Sequence, residues 1–405
     1  MFDTGNTGFM LVATSLVMLM TPGLAFFYGG LVGRKNVLTI MIQSFVSMGV
    51  TTIIWWAYGY SLCFSGGVGG IIGNLDKAFM IGVTLNTPSP FGSGNIPEFV
   101  FMAYQMMFAI ITPALITGAF SNRVRFGAYL MFLVAWLTLV YFPFVHMVWG
   151  NGLLAKLGVL DFAGGIVVHN IAGMAALASV LYVGRRRVGD SIPHSIPLVA
   201  LGTGLLWFGW YGFNAGSELK VDAVTGVAFL NTDIAASFAG PVWMLVAWIY
   251  EKKPKFLGLL TGAVAGLATI TPCAGYVTPT SAVIIGILAG AVCYFAVNLK
   301  NRLKLDDALD VWGVHGVGGM LGIILLGILA SKAVNAGGAD GLLRGNASFF
   351  FTQLLSVIVS SIYAFGFTYL MLRIINKITR VKTTEDEEEK GLDLSLHGET
   401  AYEGM

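Results

Sequence analysis

Apolar residues in this chain fall in long runs, not in the two-residue alternation of a half-buried strand or the one-sided stripe of a surface helix. Runs at about 8–32, 37–64, 98–120, 126–148, 163–184, 196–216, 225–250, 256–274, 280–298, 312–331 and 348–374 each approach the ~20 helical residues that cross a hydrocarbon core of ~30 Å. The pattern predicts an all-α, polytopic membrane protein with 11 transmembrane helices. The first run, MFDTGNTGFMLVATSLVMLMTPGLAFFYGG, lacks a basic leader and is too long for a signal-peptide core, so it reads as the first span. Between spans, residues 65–97 carry the turn residues of a loop, in NLDKAF and NTPSPFGSGNIP. After residue 382 the chain turns acidic and poor in apolar residues, a composition that predicts a tail, 383–405, mobile unless a partner orders it.

Composition strengthens the membrane reading, with 56% hydrophobic and 11% charged residues and a mean hydropathy of +0.78, where soluble domains carry roughly 25% charged residues. The 53 glycines suit helices packed closely on one another. Basic residues fix an orientation: Arg34, Lys35, Arg123, Arg125, Arg185 to Arg187, Lys252, Lys253, Lys255, Lys300, Arg302 and Lys304 fill alternate connections, and the C-terminal end adds five more. Eighteen of the 23 Lys and Arg thus lie on one side. Positive loops face the cytoplasm, which places the N-terminus outside and the C-terminus inside. The formal charge of +2, spread along one membrane face, carries no nucleic-acid signal. Cys63, Cys273 and Cys293 fall in or at the ends of predicted helices and read as small apolar filler. No cofactor or metal motif is present, and the absence of HExxH or another catalytic constellation argues against an enzyme.

Two fragments repeat: HNIAGM at 169–174 and HGVGGM at 315–320. His169 falls in the fifth predicted span and His315, 146 residues later, in the tenth. The chain therefore divides into five helices, five more and one extra. Because five is odd, the second set enters the membrane from the opposite face, which is the sign of an inverted repeat whose path runs near the midplane between the halves. The corresponding boundaries are a transmembrane domain at 1–382, with halves of about 1–184 and 196–331 plus the helix at 348–374, and the cytoplasmic tail at 383–405. Ionisable side chains at membrane depth point to function, whereas a neutral imidazole bonded through both nitrogens can equally link helices; the matched frames favour a role in the path. Asp161 and Asp310 each precede one of these histidines and read chiefly as helix caps.

MTPGLAFFYGGLVGRKNVL, HMVWGNGLL, DFAGGIVVHNIAGMAAL, LLWFGWYGFNAGS, ITPCAGYV and DVWGVHGVGGMLG resemble the signatures of the ammonium transporter, methylammonium permease and Rhesus protein family. The resemblance implies an eleven-helix fold with a pseudo-twofold repeat, a homotrimer with one path per subunit in the cell's inner (plasma) membrane, and ammonium or ammonia as substrate, with methylammonium as analogue. By motif it also implies that Trp149 and Ser217 form an outer cation site, that Phe108 and Phe213 are stacked rings closing the pore below it, and that His169 and His315 are a twin pair with Trp210 beside them. Asp161 would support the outer site without touching substrate, and Asp310 reads as its counterpart in support. Where the family usually has phenylalanine, this chain has Tyr104, whose hydroxyl is expected at the outer site. The tail's GLDLSLHGETAY resembles the bacterial members, which implies a PII-type nitrogen regulator as a cytoplasmic partner. A proton-coupled carrier for another small amine and an ammonium sensor signalling through such a partner are the alternatives. His146, His194 and His397 receive no role.

Overall fold

The computed structural model describes residues 2–92, 95–188 and 192–402. Among these described residues every regular element is a helix, and ten helices are long and apolar enough to cross a membrane. They are α1 (Thr4–Leu31), α2 (Arg34–Phe64), α3 (Glu98–Ile116), α4 (Phe126–Lys156), α5 (Gly165–Val183), α6 (Ile196–Glu218), α7 (Ala223–Glu251), α9 (Pro279–Arg302), α10 (Trp312–Leu329) and α11 (Ala347–Ile378), with a shorter apolar helix, α8 (Phe256–Ile270), between α7 and α9. Ends are marked by side-chain caps: Asp3 accepts from the Asn6 amide at 2.7 Å, and Asp222 forms a capping box with Thr225. The loop at 65–97 is held down by Glu98, which accepts from the Tyr60 hydroxyl at 2.5 Å and pairs with Lys77.

Small residues set how closely the helices approach. Helix α1 lies along α6, and a Cβ on Gly202 would stand 2.3 Å from the Phe27 amide nitrogen. Helix α5 crosses α10, and α11 packs along α5 and α10. The crossing is reciprocal about the two histidine fragments. A Cβ on Gly173, four residues after His169, would lie 2.1 Å from the Gly316 Cα, and one on Gly319, four residues after His315, would lie 2.8 Å from the Asn170 nitrogen. Each fragment thus presses its glycine onto the residue following the other's histidine, as an inverted repeat requires.

The connections predicted to share one face do gather together. The Arg123 guanidinium donates to the carbonyls of Gly184 and Asp306 at 2.5 and 2.6 Å, and Arg186 pairs with Asp306 at 2.7 Å. Burial opposes ionisation of Asp306, but Arg123 and Arg186 outweigh it and hold the carboxyl below its usual range.

The tail does not behave as its composition predicts. A short helix, α12 (Glu385–Lys390), opens with a Thr384–Glu387 capping box, and the chain then lies on the basic face. Asp393 accepts from the Leu38 and Thr39 amides at 3.0 and 2.7 Å, capping the first turns of α2. Glu387 pairs with Arg125, Glu388 accepts from the Arg187 amide at 2.8 Å, and Leu392 is fully buried. Average composition missed this because single acidic residues meet unsatisfied amides and basic loops of the same chain. His194 belongs to this docking: its Nδ1 lies 3.0 Å from the Val32 carbonyl and its Nε2 2.8 Å from the Tyr402 hydroxyl.

Candidate functional site

At the face opposite the tail lies a cavity of about 200 Å³ whose wall includes Phe64, Phe91, Phe101, Gln105, Trp149 and Ser217. Trp149 is oriented by its indole N–H, which donates to the Asp161 carbonyl at 2.8 Å. Ser217 continues α6 and donates to the Phe213 carbonyl at 2.9 Å. Beneath the cavity the Phe108 and Phe213 rings lie 4.2 Å apart, tilted by 32°, and the Trp149 ring stands edge-on to Phe108 at 5.7 Å.

Tyr104 is placed differently from the expectation. It is fully buried and absent from the cavity wall. Its hydroxyl turns toward α6, 2.9 Å from the carbonyls of both Gly212 and Phe213 and 3.3 Å from Ser217 Oγ. The two carbonyls compete for its proton, so it locks α3 to α6 behind Ser217 instead of facing the cavity. The group that does face the cavity is Gln105, which sequence reasoning passed over. Its signal was the spacing Phe101, Gln105, Phe108, one stripe of a helix.

Below the rings the space narrows to about 10 Å³, bounded by Met20, Ile111, Leu115, Leu206, Val264, Trp210 and the two histidines, room for about one water-sized molecule. His169 Nδ1 and His315 Nδ1 lie 3.2 Å apart, with the rings nearly parallel at 18°. His169 also stacks on Trp210 at 5.6 Å, whose indole N–H donates to Thr271 Oγ1 at 2.9 Å. Two Nδ1 atoms at that distance share one proton, so one imidazole donates while the other accepts. His169 Nε2 is buried and has no partner among the described residues. Both histidines sit in π-helical turns, Gly165–Asn170 and Trp312–Gly316, a distortion that often marks function.

Asp161 fixes the first of these turns. Its two carboxylate oxygens accept from the amides of Gly164, Gly165, Ile166 and Val167 at 2.7 to 3.2 Å, satisfying the four donors a helix start leaves open. Gly164 permits the sharp approach with φ of 122°. In the second half the capping carboxylate is Asp307, not Asp310: Asp307 accepts from the Val311 and Trp312 amides at 3.1 and 2.8 Å. Asp307 precedes His315 by eight residues, as Asp161 precedes His169. Asp310 instead turns out to meet Lys300 at 2.6 Å, with a left-handed backbone at φ 60° that keeps it out of the cap. His146 Nδ1 lies 2.9 Å from the Cys63 carbonyl, away from the lumen.

The family model of the Ammonium Transporter Family matches residues 8–402 of this chain. The chain belongs to the ammonium transporter family. It is 47% identical to the ammonium transporter of Bacillus subtilis (strain 168) over 98% of both chains, and 44% identical to ammonium transporter Amt1 of Archaeoglobus fulgidus over 98% of this chain and 99% of that one. The crystal structure of Candida albicans Mep2 superposes with a TM-score of 0.89 at 37% identity, covering 95% of this chain and 88% of that one. This ammonium transporter is accordingly a multi-pass membrane protein whose apolar helices suit the plasma membrane.

Proposed function

We propose that the cation is recognised in the cavity at Trp149 and Ser217, with Gln105 beside them, loses its proton above the Phe108–Phe213 pair, and crosses as ammonia past His169 and His315. The observation that carries this reading is the pair of imidazoles 3.2 Å apart in an otherwise apolar constriction. A bare ammonium ion in a low-dielectric lumen costs tens of kcal/mol in the Born limit, while a desolvated cation–π contact returns about 2. Removing the proton at neutral pH costs only about 3 to 4 kcal/mol for a group that titrates near lysine. Deprotonation is the cheaper route.

A proton can then follow separately. When the donor ring takes up a proton at its Nε2, the shared Nδ1 proton can pass to the other ring, which releases the proton on its own Nε2; both rings end neutral with their tautomers interchanged and one proton has moved across the pair, a relay that the gas does not need. Net charge would cross, favoured by about 2.3 kcal/mol per 100 mV. Asp161 and Asp307 act as positioning residues that hold the two π-turns, and with them the rings.

We read the eleven apolar helices, α8 included, as spans, with the tail face cytoplasmic and residues 383–402 docked on the transmembrane domain. We further assign a homotrimer, and a PII-type regulator that reads the tail on this face. The decisive experiment measures methylammonium flux and current in proteoliposomes against pH, comparing the unsubstituted protein with His169→Ala and His315→Ala. Retained flux with lost current assigns the pair to relay; unchanged flux and current in both variants return them to packing. Capture of a PII-type protein should be lost when residues 383–405 are removed, and equal capture by the shortened chain would exclude the tail as its site.

A further inference from the structure

Helix α11 lies outside both halves of the repeat, yet it grips the first half at the two residues that bracket its histidine turn. Gln353 of α11 is fully buried, and its side-chain amide bonds both backbone groups of Leu160: Nε2 donates to the carbonyl at 2.7 Å, and Oε1 accepts from the N–H at 3.0 Å. The backbone leaves no choice of orientation, since an N–H must donate and a carbonyl must accept. Two turns further along α11, Ser360 Oγ accepts from Asn170 Nδ2 at 2.6 Å, and the Ser361 hydroxyl donates to Asn170 Oδ1 at 3.2 Å. Leu160 immediately precedes Asp161, and Asn170 immediately follows His169. The segment 160–170 is thus pinned at both ends to one rod, at points about 10 Å apart.

Both the outer site and the first imidazole hang on that segment. The Asp161 carbonyl holds the Trp149 indole at 2.8 Å, while its carboxylate caps the turn that carries His169. The Leu160 carbonyl and the Asp161 N–H share one planar peptide unit, so a clamp on Leu160 fixes where Asp161 starts. Pairing two buried backbone groups stabilises any protein. Here the paired residue adjoins the one that sets the cavity's tryptophan and the imidazole together.

The second half supplies a comparison. Nine residues before each histidine stand Leu160 and Asp306, and one residue after stand Asn170 and Gly316. The Asp306 carbonyl is also bonded, by the Arg123 guanidinium at 2.6 Å, and Gly316 is held by its close approach to Gly173. Both halves therefore fix the same two positions by different means, a charged clamp on the basic face and an uncharged one from α11. Agreement in position without agreement in chemistry points to the position as what matters.

We propose that Gln353 is a positioning residue for transport, with Ser360 and Ser361 as its second hold: together they fix the register between the outer cation site and His169. The inference rests on the path reading above and adds which residues of the extra helix keep that path in register.

Methylammonium flux and current in proteoliposomes, measured against substrate concentration, test it. A variant that only folds less well lowers maximal flux per protein and leaves KM and the ratio of current to flux unchanged, because both belong to the molecules that did fold. Gln353→Leu should move both, KM up by about threefold or more and the ratio down by a similar factor, since a misplacement of ~1 Å can cost up to about 100-fold. Gln353→Glu should restore both at about pH 5.5, where burial keeps the carboxyl protonated and its C=O and O–H reproduce the amide's pattern. Ser360→Ala frees only the far end of the segment and should lower the ratio with KM unchanged. Ser356→Ala, whose hydroxyl bonds within α11 to the Gln353 carbonyl at 2.6 Å, is the control and should move neither. Either quantity unchanged in Gln353→Leu overturns the inference, as does a glutamate no better than the leucine; where the leucine variant does not fold, an unchanged ratio in Ser360→Ala overturns it. Trp149→Ala and His169→Ala keep the two levels apart: if the first leaves KM and the second leaves current untouched, the path reading itself has failed.

Discussion

Replacing Gly173 with alanine tests whether conduction depends on the spacing of the two histidines. The added Cβ would stand 2.1 Å from the Gly316 Cα and 2.3 Å from its nitrogen, where ordinary contact begins at 3.4 Å. Backbone faces backbone, so no side chain can swing aside, and α5 and α10 must part by about 1.3 Å at this point. Gly316 adjoins His315, and Gly173 lies one turn from His169. The Nδ1–Nδ1 distance of 3.2 Å is already near the long end for a hydrogen bond, and half of that displacement breaks it. Overpacking of this kind costs about 1–3 kcal/mol, which a large helical bundle survives. The expected result is a folded protein with a modestly lower melting temperature whose methylammonium flux in proteoliposomes falls about tenfold or more, as a rise of about 1.4 kcal/mol in the barrier would give. Gly366→Ala on α11, where nothing lies within 4 Å, is the control and should change neither quantity. Flux at the unsubstituted level in Gly173→Ala would refute the dependence on imidazole spacing.

Three further outcomes follow from single contacts. Tyr104→Phe removes a buried hydroxyl shared by two carbonyls and should lower thermal stability by about 1 kcal/mol while leaving the apparent affinity for methylammonium within a factor of about two, because the residue does not face the cavity; a large affinity change in competition assays would put the hydroxyl back at the cation. Burial lifts the Asp307 carboxyl from 3.8 to about 6 despite Lys300, so the folded protein holds this proton more tightly than the unfolded chain. Its stabilisation is complete below about pH 4 and is lost as pH rises through 6, on the order of 3 kcal/mol. Relative to Asp307→Asn, the melting temperature should therefore fall between pH 4 and 7, and parallel curves would contradict the assignment. Asp393→Ala removes the cap on α2, worth about 0.5–2 kcal/mol, and should release the tail to limited proteolysis near Gly391 without changing the spans; unchanged protection would show that Leu392 and the acidic pairs suffice.

What was legible in the sequence was whatever depends on a long average. The hydrophobic runs gave the helices to within a few residues, as at α3, where a predicted 98–120 became Glu98–Ile116, and the alternation of basic loops named the face on which those loops now meet. The repeated fragments located the narrow constriction, because two histidines in matched frames of opposed halves are brought together by the repeat itself. What failed depends on where one side chain turns. Asp310 and Asp307 are equally plausible caps from sequence; a single left-handed residue, Asp310 at φ 60°, decides which carboxylate reaches the amides. Tyr104 and Gln105 are adjacent, and rotating by one residue about α3 sends one to the α6 backbone and the other to the cavity.

These misses share a physical origin that bears on mechanism. In a bundle packed through glycine, a helix cannot shift without moving its neighbour, so polar groups are placed by backbone contacts made elsewhere. The histidines are held by Gly173 on Gly316 and Gly319 on Asn170, their turns by Asp161 and Asp307, and the second of these sits among residues that also reach the basic face, where Lys300 bonds the Asp307 carbonyl at 2.8 Å. The same face anchors the tail, through Glu388 at Arg187 and Asp393 at α2. A perturbation of the tail thus has a short covalent and hydrogen-bonded route to the turn that carries His315, by way of Arg186, Asp306 and Asp307, whereas His169 is fixed from the opposite side. If conduction responds to the tail, the displacement should appear first at His315, and nuclear magnetic resonance of imidazole nitrogens in Asp393→Ala would show it there before any change at His169.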